Sequence, residues 1–169
     1  TKFGVLPTGD TLWATPGSIP VNYAKIKEVR REDTNGVNAA NGSKVELRGV
    51  VYGVNMRSTG LQFTLIDETA GIGVFNNPVT FGYTVKEGDS IHMIGSINQF
   101  RGLSQIEFLD TIVYISSGST LKEPTIISQM KEENESDLVK ILGYTILAPD
   151  ANWVSNKNYK ATNGTDTLE

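Results

Sequence analysis

The sequence predicts an all-β chain built on a small closed barrel, and residues 44 to 116 carry that expectation. Five segments there read as strands: 44–52, 61–67, 71–75, 90–97 and 103–115. They are short, regularly spaced and rich in Val, Ile and aromatic residues, which is the signature of a barrel of short strands. Glycine punctuates them, both inside strands, as at Gly49, and between them, as at Gly102. A glycine inside a strand permits the bend or bulge that lets one long strand serve two halves of a sheet.

Taken in order, residues 1–21 hold Pro7, Pro16 and Pro20 and the turn residues Thr8, Gly9 and Asp10. They read as an extended lead-in, with Phe3 and Trp13 packing onto the barrel. Residues 23–30 place Tyr23, Ile26 and Val29 on one side of a helical turn or two that seals a barrel mouth. Asp33, Asn35 and Asn38 then alternate as in a calcium loop, but the twelfth place of such a loop needs Glu and position 44 is Lys. The turn chemistry of Asn35-Gly36 and Asn41-Gly42 is the better reading.

In the first barrel strand Val45, Leu47 and Val51 share a face with Gly49, and in the second Leu61, Phe63 and Leu65 face inward while Gln62 and Thr64 face out. Asp67 to Gly71 is a hairpin connection, so the first three strands form a meander, and residues 99–102 join the last two. Val74, Ile91, Met93 and Ile97 complete the expected interior, because one face of each strand must be buried. From Leu121 the pattern changes. Pro124 near a first helical position predicts a short helix with Ile126, Ile127 and Met130 on its apolar side. Residues 138–146 then predict a strand with Gly143 inside it, and 158–168 a second strand. The expected organisation is a lead-in at 1–21, a five-stranded antiparallel Greek-key barrel at 22–116, and a helix with a partial second module at 117–169. Such a partial module is expected to pack on the barrel's flank or to self-associate through open strand edges.

The chain of 169 residues has a net charge of −4. Between residues 44 and 115, five basic residues face seven acidic ones. Proteins that grip nucleic acid by its phosphates need clustered Lys and Arg, so this balance weighs against a duplex binder. With no cysteine the chain has no disulfide, thiol nucleophile or zinc–thiolate site. No apolar run approaches the roughly 18 residues of a membrane-spanning helix. The opening Thr1 reads as the start of a fragment without a signal peptide, and Leu168-Glu169 reads equally as a vector scar or native sequence.

The stretches 46–51, 61–67, 71–75, 85–89 and 95–106 together resemble a known family. They are similar to the OB-fold modules of secreted multidomain proteins of Bacteroidetes bacteria, and to OB-type accessory domains beside extracellular nucleases and lamin-tail domains. The resemblance covers about residues 22–116, and 138 onward is similar to the opening strands of a tandem copy. It implies an extracellular or cell-surface location and neighbouring domains of the same polypeptide as partners. On an OB barrel the ligand face comprises the second and third strands with the loops joining strands one to two and four to five. Carried onto this chain, that face names Arg57, Gln62, Thr64, Phe75, Phe100 and Arg101.

No catalytic, metal or cofactor site is expected. His92 is the single histidine and lies in a strand, where packing is its ordinary role. Asp67 and Glu68 are adjacent but sit in a turn, and no nucleophile–base set or phosphate-cradling loop appears. Two readings remain. One is a non-catalytic structural or interaction module contacting protein, glycan or neighbouring domains; the other is a single-stranded nucleic-acid binder with bases stacked on aromatics. The acid excess ranks the first above the second.

Overall fold

The computed structural model describes residues 2–5, 11–13, 23–147, 152–154 and 157–168. The chain falls into two compact units, Thr1–Leu121 and Lys122–Glu169. In the first, β1 (Lys2–Val5) and β2 (Thr11–Trp13) pair antiparallel. The side chains of Phe3 and Trp13, expected to pack onto the barrel, lie outside what is described. The short helix α1 (Ile26–Val29) precedes β3 (Lys44–Tyr52), β4 (Leu61–Ile66), β5 (Gly71–Asn76), β6 (Ser90–Phe100) and β7 (Leu103–Ser116). These five strands close into a barrel in the order β3-β4-β5-β7-β6, with β6 returning to β3. That is the OB arrangement. It is a mixed barrel, because β5 and β7 run parallel where Gly73 meets Gln105 and Val74 meets Ile106. The expectation of a wholly antiparallel sheet is corrected there. The 76–89 connection carries the chain across the barrel, so the third and fifth strands meet in the same direction.

Closure depends on two strand glycines. β3 pairs with β6 from Lys44 to Val50 and with β4 from Val50 to Tyr52, so it changes partners at Val50. A Cβ on the adjacent Gly49 would lie 2.8 Å from the Ile66 carbonyl oxygen. On β6, a Cβ at Gly95 would lie 2.8 Å from the Glu107 carbonyl oxygen and 2.7 Å from Leu109 Cδ2. Opposite Gly95 the β6–β7 register slips, and Phe108 takes a φ of 48°. Such a bulge bends β7, which pairs with β6 on both sides of it and with β5 only at Gln105 and Ile106.

The interior follows the strand alternation. Leu47, Val51, Leu61, Phe63, Leu65, Val74, Ile91, Met93 and Ile97 are buried as expected, and the half-buried Val45 packs against them. Ile26 and Val29 of α1, with Ile72, Ile106 and Leu109, complete the same core. Tyr23 precedes the helix instead of lying on its inner side, and is exposed, edge-on to His92 with ring centres 6.1 Å apart.

The β4–β5 turn holds α1 in place. Asp67 Oδ2 accepts the Ile26 amide at 2.9 Å, while its Oδ1 accepts the amides of Thr69 (2.6 Å) and Ala70 (2.9 Å). Thr69 Oγ1 in turn accepts the Lys27 amide, and Lys25 pairs with Glu68. A helix this short cannot offset its own unpaired amides, so a side chain 41 residues away supplies the cap. In the loop between α1 and β3, Asp33 Oδ1 accepts the Asn35 and Val37 amides, and Asn38 donates to Val29 O and Ser104 Oγ. Those oxygens and amides therefore build a turn.

In the second unit β8 (Thr125–Ile127) pairs parallel with β9 (Val139–Ile141). β10 (Thr145–Leu147), β11 (Lys160–Thr162) and β12 (Thr167–Leu168) form a separate antiparallel sheet. The helix expected around Ile126, Ile127 and Met130 is instead strand β8, and the helical element is a single 3-10 turn at Glu132–Asn134. Three β-branched residues directly after Pro124 favour extended backbone, and tertiary pairing with β9 captures it. The strand expected over 138–146 splits into β9 and β10 at Gly143, where φ is 79°.

Burial pushes the Asp67 carboxyl up, but the hydrogen bonds from Ile26, Thr69 and Ala70 outweigh it and hold the pKa below its ordinary value. A depressed folded pKa contributes stability that is present above the unfolded value and lost as pH falls through the folded one. Asp67→Ala should cost about 2–4 kcal/mol near neutrality, because it strands buried amides. The variant should also lose less stability than the parent on acidification below about pH 4. Urea unfolding at neutral and acidic pH tests both; equal acid sensitivity of parent and variant counts against this role.

Candidate functional site

One concave groove on the barrel is lined by Arg57, Gln62, Phe75, Asn98, Phe100, Gln105 and Glu107, with a volume of about 380 Å³. Its base is built from neighbouring strands. Gln62 on β4 is the direct cross-strand partner of Phe75 on β5, so both side chains stand on the same face. Asn98 on β6 is opposite Gln105 on β7. The parallel partner of Gln105 is Gly73, where a Cβ would lie 3.3 Å from Gln105 Cγ and 3.4 Å from its Nε2. Absence of a side chain at Gly73 therefore leaves the room that Gln105 occupies.

Arg57 enters from the 53–60 loop. Its guanidinium carbon lies 4.9 Å from the centre of the Phe75 ring, and its Nε donates to the Thr59 carbonyl. Asn55 organises this loop: Oδ1 accepts the Gln62 amide at 2.9 Å and the Arg57 amide at 3.3 Å, and Nδ2 donates to Gly60 O. The cation is thus held over the ring before any ligand arrives. At the other end, Phe100 is 57% exposed at the β6–β7 hairpin, and the Arg101 guanidinium lies 5.3 Å from its ring centre. Each cation–π contact is worth about 0.5–1 kcal/mol at an exposed site.

Of the six residues expected on the ligand face, Arg57, Gln62, Phe75 and Phe100 come together in the groove. Thr64 stands two residues along β4 opposite Gly73 and does not line it. Arg101 occupies the hairpin tip in a left-handed conformation (φ 54°) and stacks on Phe100. The sequence reading missed Asn98, Gln105 and Glu107. Their polar side chains alternate with Ile97 and Ile106 along β6 and β7, a two-residue period visible in the sequence. What it lacked was the parallel β5–β7 pairing that brings this face beside Phe75.

A second depression, lined in part by Tyr23, Lys25, Arg48, Asp67 and Glu68, lies beside α1. Its Lys25, Asp67 and Glu68 are engaged in holding the helix. His92 Nε2 is 3.8 Å from Glu46 Oε1 and packs against Tyr23. Among the described residues, no group of three His, Asp or Glu side chains is arranged to hold a metal ion.

The barrel and its groove define an OB-type module. No family model matches the sequence, and no curated protein matches it significantly. Several solved structures are similar to part of this chain. The hypothetical protein YgiW from E. coli is 16% identical, with a TM-score of 0.40 over 56% of this chain and 90% of that one. Asparaginyl-tRNA synthetase from Pyrococcus horikoshii is 17% identical, with a TM-score of 0.47 over 58% of this chain and 23% of the synthetase. A Replication Protein A heterotrimer bound to ssDNA gives 14% identity and a TM-score of 0.38, over 45% and 59% of the two chains. Strand order and closure, not these matches, define the fold.

Asn55→Ala should cost about 1–3 kcal/mol, since it removes three partly buried hydrogen bonds that close its loop. It should also release Arg57 from Phe75, seen as faster solvent exchange of the Arg57 Nε proton by NMR. Unchanged exchange would show that the Phe75 ring alone holds the guanidinium.

Proposed function

We propose that this chain is a non-catalytic interaction module whose barrel groove takes up a ligand for a larger secreted or cell-surface protein. The observation that carries the reading is the Arg57–Phe75 stack, which shares one groove with the exposed ring of Phe100. Exposed aromatic rings with convergent polar groups in a concavity are the ordinary make-up of a binding site. Its position, between the second and third barrel strands and the loop joining the last two, is where OB barrels receive ligands. The non-catalytic part of the proposal is supported by His92, which is occupied with Tyr23 and Glu46 away from the groove. Location and neighbouring domains rest on the family resemblance alone.

A small-fragment screen read by two-dimensional NMR tests the groove directly. Shifts should gather at Gln62, Phe75, Asn98 and Phe100, and Phe75→Ala should weaken the hits at least tenfold. Hits beside Tyr23 and Lys25, or none, would overturn the assignment.

A second reading, single-stranded nucleic-acid binding as an accessory to an extracellular nuclease, is favoured by the two arginine–aromatic pairs. Guanidinium planes and rings both stack bases. That reading expects anisotropy of a short labelled DNA strand to rise at low salt. Affinity should then fall with a log–log slope of about 0.7 per phosphate neutralised, and Phe100→Ala should cost about 1–3 kcal/mol. A flat trace at low salt removes it.

A further inference from the structure

We infer that the second unit is a strand acceptor: the free edge of β9 takes an extended segment of another polypeptide, running antiparallel, with apolar residues at alternate positions. The first unit supplies the template. Val139, Ile141 and Gly143 repeat the spacing of Val45, Leu47 and Gly49. As β3 pairs with β4 beyond Gly49, so β10 pairs with β11 beyond Gly143. Before the glycine, Ala24 N donates to Glu46 O in the first unit, and Thr125 N donates to Leu138 O in the second. Leu138 is the counterpart of Lys44, two residues from Glu46, and carbonyls two apart in a strand point to the same edge. Both units therefore lay a preceding segment along the same edge of their first strand. They differ at the other edge. In the barrel β6 fills it, pairing with β3 from Lys44 to Val50. In the second unit β8 is the sole hydrogen-bonded neighbour of β9 among the described residues.

Backbone groups alternate between the two edges of a strand, so those of Val139 and Ile141 point away from β8 to this open side. An unpaired edge is a ready template for a further strand. The apolar balance agrees. None of the described residues of 122–168 is buried, and Leu142, Ile146 and Trp153 are each more than half exposed. A unit this small lacks core, and an added strand brings it apolar contact. The incoming residue opposite Ile141 corresponds to Met93, which lies opposite Leu47 and is buried, so it is apolar. The residue opposite Lys140 is acidic, because opposite charges directly across a strand pair attract. A second copy of β9 suits this edge less well. The antiparallel register that keeps Val139 opposite Ile141 sets Lys140 opposite its own copy, where like charges repel.

The test is hydrogen exchange, read by NMR on the labelled full chain with a synthetic peptide. The peptide has the sequence of residues 90–97 with Ile94→Glu to face Lys140 and Gly95→Val to face Val139. Amide exchange at Val139 and Ile141 should slow roughly tenfold or more, while that of Lys140, which faces β8, changes little. A copy of the peptide N-methylated at 93 and 95, the amides that face β9, should bind roughly tenfold more weakly. Lys140→Glu in the chain should weaken the unmethylated peptide about two- to fivefold, the size of a cross-strand charge pair. Should that variant unfold, the methylated peptide still decides the matter on the parent chain. Unchanged exchange at millimolar peptide overturns the inference, as do shifts confined to the barrel. Val139 and Ile141 already protected in the chain alone overturn it too. Protection that grows with protein concentration, with a doubled mass by light scattering, then assigns the edge to a second copy.

Discussion

Closure of the barrel is the constraint on which everything else depends. The sheet closes through one long strand that joins its two halves, and β3 does so by passing from β6 to β4 at Val50. At two tight places within the strands the backbone of a neighbouring strand leaves no room for a Cβ, and glycine stands there, as Gly49 and Gly95. The slip in β7 opposite Gly95 adds the bend that brings Gln105 and Ile106 against β5. Without that bend the groove would lack its floor, because Gln105 and Glu107 would not reach Phe75 and Gln62.

The connections are held mainly by side-chain amides and carboxylates that bond backbone at both ends. Asn38 joins Val29 and Ser104 while accepting the Ala40 amide. Asn55 closes the loop bearing Arg57, and Asn76 links Val79 O to the Leu109 amide. Asp67 does the same for the helix. A small barrel has little core with which to hold long connections, so polar anchors that satisfy otherwise orphaned backbone groups take over that work. Because these anchors hold the groove's walls, Arg57 meets Phe75 as part of the folded structure, which lowers the ordering cost of binding.

Much of the barrel was legible in the sequence. Five strands, their inward faces, the meander and the last hairpin follow from two-residue periodicity and glycine-bearing turns, both local signals. That Gln62 and Phe75 share an outer face was legible as well, since a short turn dictates the pairing of their strands. Reading failed where long-range contact decides. Pro124 with apolar residues at helical spacing looked like a helix start, but pairing with β9 made Thr125–Ile127 a strand. Tyr23 looked like part of a helical face, but the helix begins only where Asp67 caps it.

By itself the sequence determined which residues form the barrel strands and which way they face, because alternation and turn chemistry act over a few residues. Only the tertiary structure decided that β5 and β7 run side by side in parallel, since nothing local records a partner some thirty residues away. That pairing brings Gln105 and Glu107 into one groove with Phe75 and gives an aromatic face a polar floor.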